Sequence, residues 1–149
     1  MNVIGSDHTG LHVADLDRSL SFYCGLLGFE VVWDRVTDAD YVQELVGCPG
    51  AELHQTMLQI PGSGHRLELI DYRQIERRAV GGGPPNSGTA HLSLVVDDLR
   101  GLFTRLLNEG VEPVSEPIVV PSGPNKGCTA VYVIDPDGFR VELVQATAT

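Results

Sequence analysis

The chain states one strand–helix unit twice, and that repeat limits what it can fold into. Ser6-Asp7-His8-Thr9-Gly10-Leu11-His12-Val13-Ala14-Asp15-Leu16 returns further on as Ala90-His91-Leu92-Ser93-Leu94-Val95-Val96-Asp97-Asp98-Leu99. At a constant offset of 83, His8 falls on His91, Val13 on Val96, Asp15 on Asp98, Leu16 on Leu99 and Leu20 on Phe103. A duplicated strand–helix unit needs a fold made of two like modules, and a histidine heads the strand in each.

The first copy reads as a strand over residues 6–14, with Asp15 or Asp17 capping a helix. Leu16, Leu20, Tyr23 and Leu27 make that helix amphipathic, and Gly28 ends it. Strands follow at Phe29–Val36, Glu52–Ile60 and His65–Tyr72, the last two joined by the turn Pro61-Gly62-Ser63-Gly64. Tyr41–Val46 has the makings of a short helical turn. Residues 73–88, with Arg73, Arg77, Arg78 and the run Gly81-Gly82-Gly83-Pro84-Pro85, read as a linker.

The second copy repeats the plan. A strand over Thr89–Val96 leads to a helix with Leu99, Leu102, Phe103, Leu106 and Leu107 on its apolar face and Gly110 at its end. Val111–Val120 is extended, and Pro113 and Pro117 place it at a sheet edge. Thr129–Ile134 and Phe139–Gln145 flank the turn Asp135-Pro136-Asp137-Gly138. The expectation is an α+β fold: two βαβββ modules forming an open, cup-like barrel around a central cavity. They make a single domain over 1–149, with module one at about 6–72, the linker at 73–88 and module two at about 89–146. With one helix per four strands, each sheet needs something further to cover its second face, and the other module can supply it.

Strand residues alternate faces. Leu11 and Val13 meet the helix, so His8 and His12 point to the other, concave side; His91, Ser93 and Val95 do the same in the second copy. The closing strands carry a matching anomaly, Arg66-Leu67-Glu68-Leu69-Ile70 and Arg140-Val141-Glu142-Leu143-Val144. A carboxylate between core residues is costly unless it is paired or binds a metal. Taken singly, each residue has a plain reading: an interior histidine held by hydrogen bonds, or a glutamate paired with the arginine two residues before it. Taken together, His8, Glu68, His91 and Glu142 fall at equivalent points of a repeat. Imidazole plus carboxylate suits zinc, iron, nickel, cobalt or manganese.

Composition excludes several classes. A net charge of −10 disfavours a nucleic-acid partner. No apolar run is long enough to span a membrane, and the N-terminal sequence lacks a signal region, so a cytoplasmic protein is expected. Cys24, Cys48 and Cys128, with no CxxC pairing, read as partly buried fillers.

The stretches DHTGLHVADLDRSLSFYCGLLGFEVV, HLSLVVDDL and VYVIDPDGFRVELVQ resemble the vicinal oxygen chelate superfamily, which holds glyoxalase I, methylmalonyl-CoA epimerase, fosfomycin-resistance enzymes, extradiol dioxygenases and bleomycin-resistance binders. The resemblance covers about residues 6–145. It implies a divalent metal ion (Ni, Zn, Co, Mn or Fe(II)) held by His8, Glu68, His91 and Glu142, a set similar to that of bacterial glyoxalase I. It implies an enzyme that chelates two neighbouring oxygens of a small-molecule substrate and stabilises an enolate or enediolate during proton transfer. That is lyase or isomerase chemistry of the glyoxalase or epimerase type. Glu142 or Glu68 would move the proton, with His12 a further base. An Fe(II) extradiol-type ring-cleavage dioxygenase is the alternative: its ligands would be His8, His91 and Glu142, and Tyr132, four residues before Pro136, stands where that group keeps a catalytic tyrosine. A non-catalytic small-molecule binding or resistance protein is the second alternative. Relatives build such sites within one chain or across two, and a homodimer is expected here. Arg73, Arg77, Arg78 and Lys126 are open to two readings, solvated loop charges or holders of a substrate's anionic group.

Overall fold

The structure, a computed structural model, describes residues 2–78 and 83–147. Residues 79–82 of the expected linker, and residues 1, 148 and 149, lie outside the described residues. The chain divides into two compact units, 1–79 and 80–149. Each contains one four-stranded mixed sheet, and the fold is α+β.

In the first unit β1 (His8–His12) leads to α1 (Leu16–Leu20), then β2 (Glu30–Thr37), α2 (Asp40–Val46), β3 (Glu52–Gln59) and β4 (Arg66–Arg73). The sheet order is β1-β4-β3-β2, with β1 parallel to β4 and the other pairs antiparallel. In the second unit β5 (His91–Val95) leads to α3 (Leu99–Asn108), β6 (Ile118–Val119), β7 (Thr129–Ile134) and β8 (Arg140–Gln145), in the order β5-β8-β7-β6. The first and last strands of each module therefore lie side by side and parallel.

The starts of α1 and α3 follow from their caps. The Asp15 carboxylate accepts from the Arg18 amide at 3.0 Å, and Asp98 accepts from the Gly101 amide at 2.9 Å. After Leu20 the first helix widens into a π-type stretch over Ser21–Leu26, where the Leu27 amide bonds the Phe22 carbonyl at 3.1 Å. The wide turn brings Phe22 and Tyr23 inward together, edge to face at 5.0 Å, and both are buried. This changes the expected stripe: Leu16 and Tyr23 are buried, but Leu20 and Leu27 only half so, while Phe22 and Ser19 take their place in the core.

The two modules are not of equal length. The offset is 83 at the histidines and 74 at the glutamates, and the extra residues of the first module include α2. This element is a full short helix, ended by Gly47 in a left-handed conformation (φ 69°), where glycine pays no steric cost. Its Val42 packs with Ala51, Leu53 and Ile70, so it covers part of one face of the first sheet. In the second module the expected strand 111–120 shrinks to Ile118–Val119, with Pro113 bridging Val133. Prolines at 113 and 117 remove ladder donors from that edge.

The core lies between each sheet and its helix: Leu58, Leu67 and Leu69 with Tyr23 in the first unit, Val141, Leu143 and Val133 with Leu99 and Leu106 in the second, all 0–1 % exposed. Burying such a side chain is worth about 1.5–3 kcal/mol. The opposite faces of β1 and β5 carry the residues that alternate outward. All three cysteines are free and half-buried, and no helix among the described residues is long and apolar enough to cross a membrane.

Candidate functional site

Parallel pairing sets the geometry. In the first unit His8 pairs with Arg66, Gly10 with Glu68 and His12 with Ile70; in the second His91 pairs with Arg140, Ser93 with Glu142 and Val95 with Val144. Each histidine thus sits one pleat before the position opposite its glutamate, on the same face. The His8 Nε2 lies 3.3 Å from Glu68 Oε2, and the His91 Nε2 lies 3.5 Å from Glu142 Oε2. The small residues Gly10 and Ser93 stand opposite the carboxylates. A Cβ on Gly10 would come within 3.9 Å of Glu68 Oε2, so glycine leaves the space beside that oxygen open.

Protons decide what the His8–Glu68 contact is. His8 Nδ1 lies 2.7 Å from Asp7 Oδ2. An ionised carboxylate only accepts, so Nδ1–H donates to Asp7 and Nε2 is the ring nitrogen turned to Glu68. An imidazole nitrogen and a carboxylate oxygen thus face one another on one side of the sheet. A shared cation is what such an arrangement accommodates, and a carboxylate behind a histidine is the usual outer partner of a metal-binding imidazole. The hydrogen bond from His8 also holds the Asp7 carboxyl below its ordinary value. Ala90 stands where Asp7 does in the repeat, so the second histidine has no such neighbour in sequence.

The two carboxylates have unlike surroundings. Glu68, with 11 % of its side chain exposed, accepts from Gln55 Nε2 at 2.9 Å through its other oxygen. Glu142 is twice as exposed, at 22 %, and pairs across the strands with Tyr132. The Tyr132 ring also meets the His91 ring edge to face, centroids 5.3 Å apart. Burial, followed by the charge of Glu142 and a hydrogen bond with it, pushes the Tyr132 phenol above its ordinary value. Tyr132 is therefore a neutral hydroxyl at physiological pH.

His12 lies on the same face as His8, exposed, with its ring 4.9 Å from that of Tyr72. Thus the structure pairs His8 with Glu68 and His91 with Glu142, adds Tyr132 to the second pair, and sets His12 against Tyr72. Among the described residues no group of three or more His, Cys, Asp or Glu side chains is assembled to hold a metal ion. Each module supplies two donors of a kind that fit one.

The family model of the Glyoxalase/Bleomycin resistance protein/Dioxygenase superfamily matches residues 5–143. The chain belongs to this superfamily. Among curated relatives, a probable lactoylglutathione lyase from Synechocystis sp. is 30 % identical over 144 residues, covering 95 % of each chain. A 2-epi-5-epi-valiolone epimerase from Actinomyces sp. is 27 % identical, over 95 % of this chain and 79 % of that one. Among solved structures, a glyoxalase family protein from Bacillus cereus superposes with a TM-score of 0.84 at 18 % identity, covering 97 % of this chain and 95 % of the other. That likeness is one of fold.

In this glyoxalase-superfamily chain, several residues at the site carry no sequence signal of their own. Gln55, next to His54 on β3, is the one that turns toward Glu68. His54 turns to the opposite face, between Asp34 (3.0 Å) and Arg73 (2.8 Å). His65 is half-buried and clasped by Ser6 at 2.9 Å and Thr9 at 2.8 Å, which tethers the strand on both sides of His8. The basic residues after the fourth strand are also engaged. Arg73 and Arg77 both pair with the buried Asp71, Arg73 at 2.8 Å, and Arg78 pairs with Glu76 at 3.2 Å. That arrangement favours solvated and structural charges over a substrate-anion site at 73 and 77. Only Asp7 was open to discovery in the sequence, as the residue beside the repeated histidine.

Proposed function

We propose that the protein is a divalent-metal-dependent enzyme of the lyase or isomerase type, moving a proton beside a carbonyl of a small substrate. The observation that carries this reading is the duplicated His–Glu pair, with the Asp7–His8 hydrogen bond turning His8 Nε2 toward Glu68. His8, Glu68, His91 and Glu142 would hold the cation, as one domain with both modules contributing, in a homodimer. When bound, the cation would supply Lewis acidity to two neighbouring substrate oxygens.

The remaining work falls to the chain's own side chains. Glu68, fixed through its second oxygen by Gln55, serves best as a permanent donor. Glu142, the more exposed carboxylate, has the freedom to accept a proton at one oxygen, a contribution typically worth about 10²–10⁴ in rate. The neutral Tyr132 hydroxyl beside it donates to Glu142 and holds its orientation. His12, exposed on the same face, is a second place to hold a proton. The relatives' names point to two substrate classes: the hemithioacetal of methylglyoxal and a thiol, and an epimerisable cyclic ketone. Ring cleavage with Fe(II) is the second reading, favoured by Tyr132 lying against both His91 and Glu142.

The test is turnover by protein stripped with chelator and reloaded singly with Ni²⁺, Zn²⁺, Co²⁺, Mn²⁺ or anaerobic Fe²⁺. It is assayed on a methylglyoxal–glutathione adduct, 2-epi-5-epi-valiolone and catechols. Isomerisation of one of the first two by reloaded protein alone is expected. Full activity of the stripped protein would overturn metal dependence, and turnover of catechols alone would establish the second reading.

A further inference from the structure

An irregularity in β2 reaches the site through three residues. Glu30 faces Gln59 and Val31 faces Leu58, but the next partner, Met57, is faced by Trp33. Val32 is an extra residue, a β-bulge, and it shifts the rest of β2 by one position. A shift of one exchanges the two faces of a strand. Without it Val32 would face Met57 and Asp34 would face Gln55. With it Trp33 and Arg35 take those places, on the face of β3 and β4 that carries Gln55 and Glu68.

Arg35 Nε donates to Gln55 Oε1 at 3.0 Å, and Gln55 Nε2 donates to Glu68 Oε1 at 2.9 Å. The Arg35 guanidinium carbon stands 5.3 Å from the centre of the Trp33 ring, which supports it by a cation–π contact. The series has one possible direction. Arginine only donates and an ionised carboxylate only accepts, so the amide between them must turn its oxygen to Arg35 and its nitrogen to Glu68. Gln55 is 6 % exposed, so water does not readily replace either bond. If Arg35 were lost, the amide would keep its bond to Glu68 but lose the anchor on its oxygen, and with it one of the two contacts that hold its position.

We infer that Arg35 and Gln55 are positioning residues for Glu68: the bulge at Val32 aims them, and they fix one carboxylate oxygen so that the other faces His8. This rests on Glu68 being a metal donor, the reading given above. The series belongs to the first module only, because Tyr132 pairs with Glu142 where Met57 pairs with Glu68. It makes the two carboxylates unequal, one held and one adjustable.

The full chain, stripped of metal, is titrated with Co²⁺ against a chromophoric chelator, for wild type and for Arg35→Met, Arg35→Lys, Gln55→Leu and Glu68→Ala. Arg35 is exposed on an edge strand, so its variants keep the metal-free melting temperature even if Gln55→Leu perturbs folding. Arg35→Met and Arg35→Lys are both expected to weaken Co²⁺ binding about 10–100-fold, the usual effect of losing an outer partner of a metal ligand. Lysine keeps the charge but not the Nε–H, so wild-type affinity in Arg35→Lys would reduce the effect to general electrostatics and overturn the inference. Wild-type affinity in Arg35→Met, with Glu68→Ala impaired, would overturn it directly. If Glu68→Ala binds Co²⁺ as tightly as wild type, or the wild type binds none, it is the reading of Glu68 as a donor that fails, and the positioning role falls with it.

Discussion

Replacing Glu68 by glutamine should make the metal-free protein more stable and the metal-loaded protein less so. In the metal-free chain the Glu68 carboxyl group has only 11 % of its side chain exposed. One oxygen accepts from Gln55 and the other faces His8 Nε2 at 3.3 Å. The effective cost of taking an ion out of water is several kcal/mol, and a neutral imidazole beside it would not repay that. A glutamine of the same shape places its amide oxygen where it accepts from Gln55 and its amide nitrogen where it donates to His8. The Gln55 bond loses its charge assistance, about 1 kcal/mol, and the new bond to His8 returns about as much. The relief of the buried charge is left over. We expect a net gain of about 1 kcal/mol at pH 8, a rise in Tm of about 2–4 °C for a chain of this size. Saturating metal stabilises the wild type by about 2.7 kcal/mol at a hundred times Kd, and Glu68→Gln forfeits much of that. Scanning calorimetry of both proteins, stripped and loaded, reads the crossing. A stripped variant that melts lower than the stripped wild type would refute the reasoning, because Glu68 would then be stabilising as a charge, in an ion pair with a protonated His8.

Further outcomes follow from the same contacts. The Thr56 hydroxyl, and after it His54, hold Asp34 below its ordinary carboxylate value. Its contribution is present above the unfolded pKa and is lost as pH falls through the lower folded one, so the urea midpoint of Asp34→Asn should fall less than that of wild type on acidification below about pH 4. Tyr132 is raised, chiefly by burial and then by Glu142. Its contribution is present below the unfolded value of about 10 and disappears at higher pH, so Tyr132→Phe should lose less stability on the alkaline side, as read by melts alongside ultraviolet titration of the phenols. The same variant separates the two chemistries: a loss of less than about tenfold fits proton transfer with Tyr132 as a support, and a loss of about 10²-fold or more fits ring cleavage with Tyr132 as an acid–base group. Leu69→Ala, at a fully buried position beside Glu68, should cost about 2–5 kcal/mol in urea unfolding.

The repeat made much of the fold legible. A strand with apolar residues on one face, a capping aspartate and a glycine after the helix are local signals, and they placed β1, β5, α3, β7 and β8 within about two residues. The features that escaped depend on contacts between distant residues. A π-type turn in the first helix arises from packing Phe22 and Tyr23 together against the sheet, and no spacing announces it. The short β6 reflects what Pro113 and Pro117 withhold from their neighbour, which fixes an edge but not the point where pairing begins. For the site, alternation within β1 sufficed to put His8 and His12 on one face. It did not suffice to choose between His54 and Gln55, since that choice needs the register between β3 and β4.

Both modules keep the same pairing along their parallel strands, His two positions ahead of the partner of Glu, and differ in the two strands farther out. A parallel pair fixes where a histidine and a glutamate stand relative to one another, so that half of each sheet tolerates little change without losing the pair. The outer strands only touch the glutamate from behind, and there the modules diverge: a bulge, an arginine and a glutamine in one, a tyrosine in the other. Two equal carboxylates would compete for the same task. On the proposed proton transfer, one carboxylate would be held and the other free to protonate, and the divergence of β2 and β3 from β6 and β7 makes the two glutamates unequal without disturbing the shared frame.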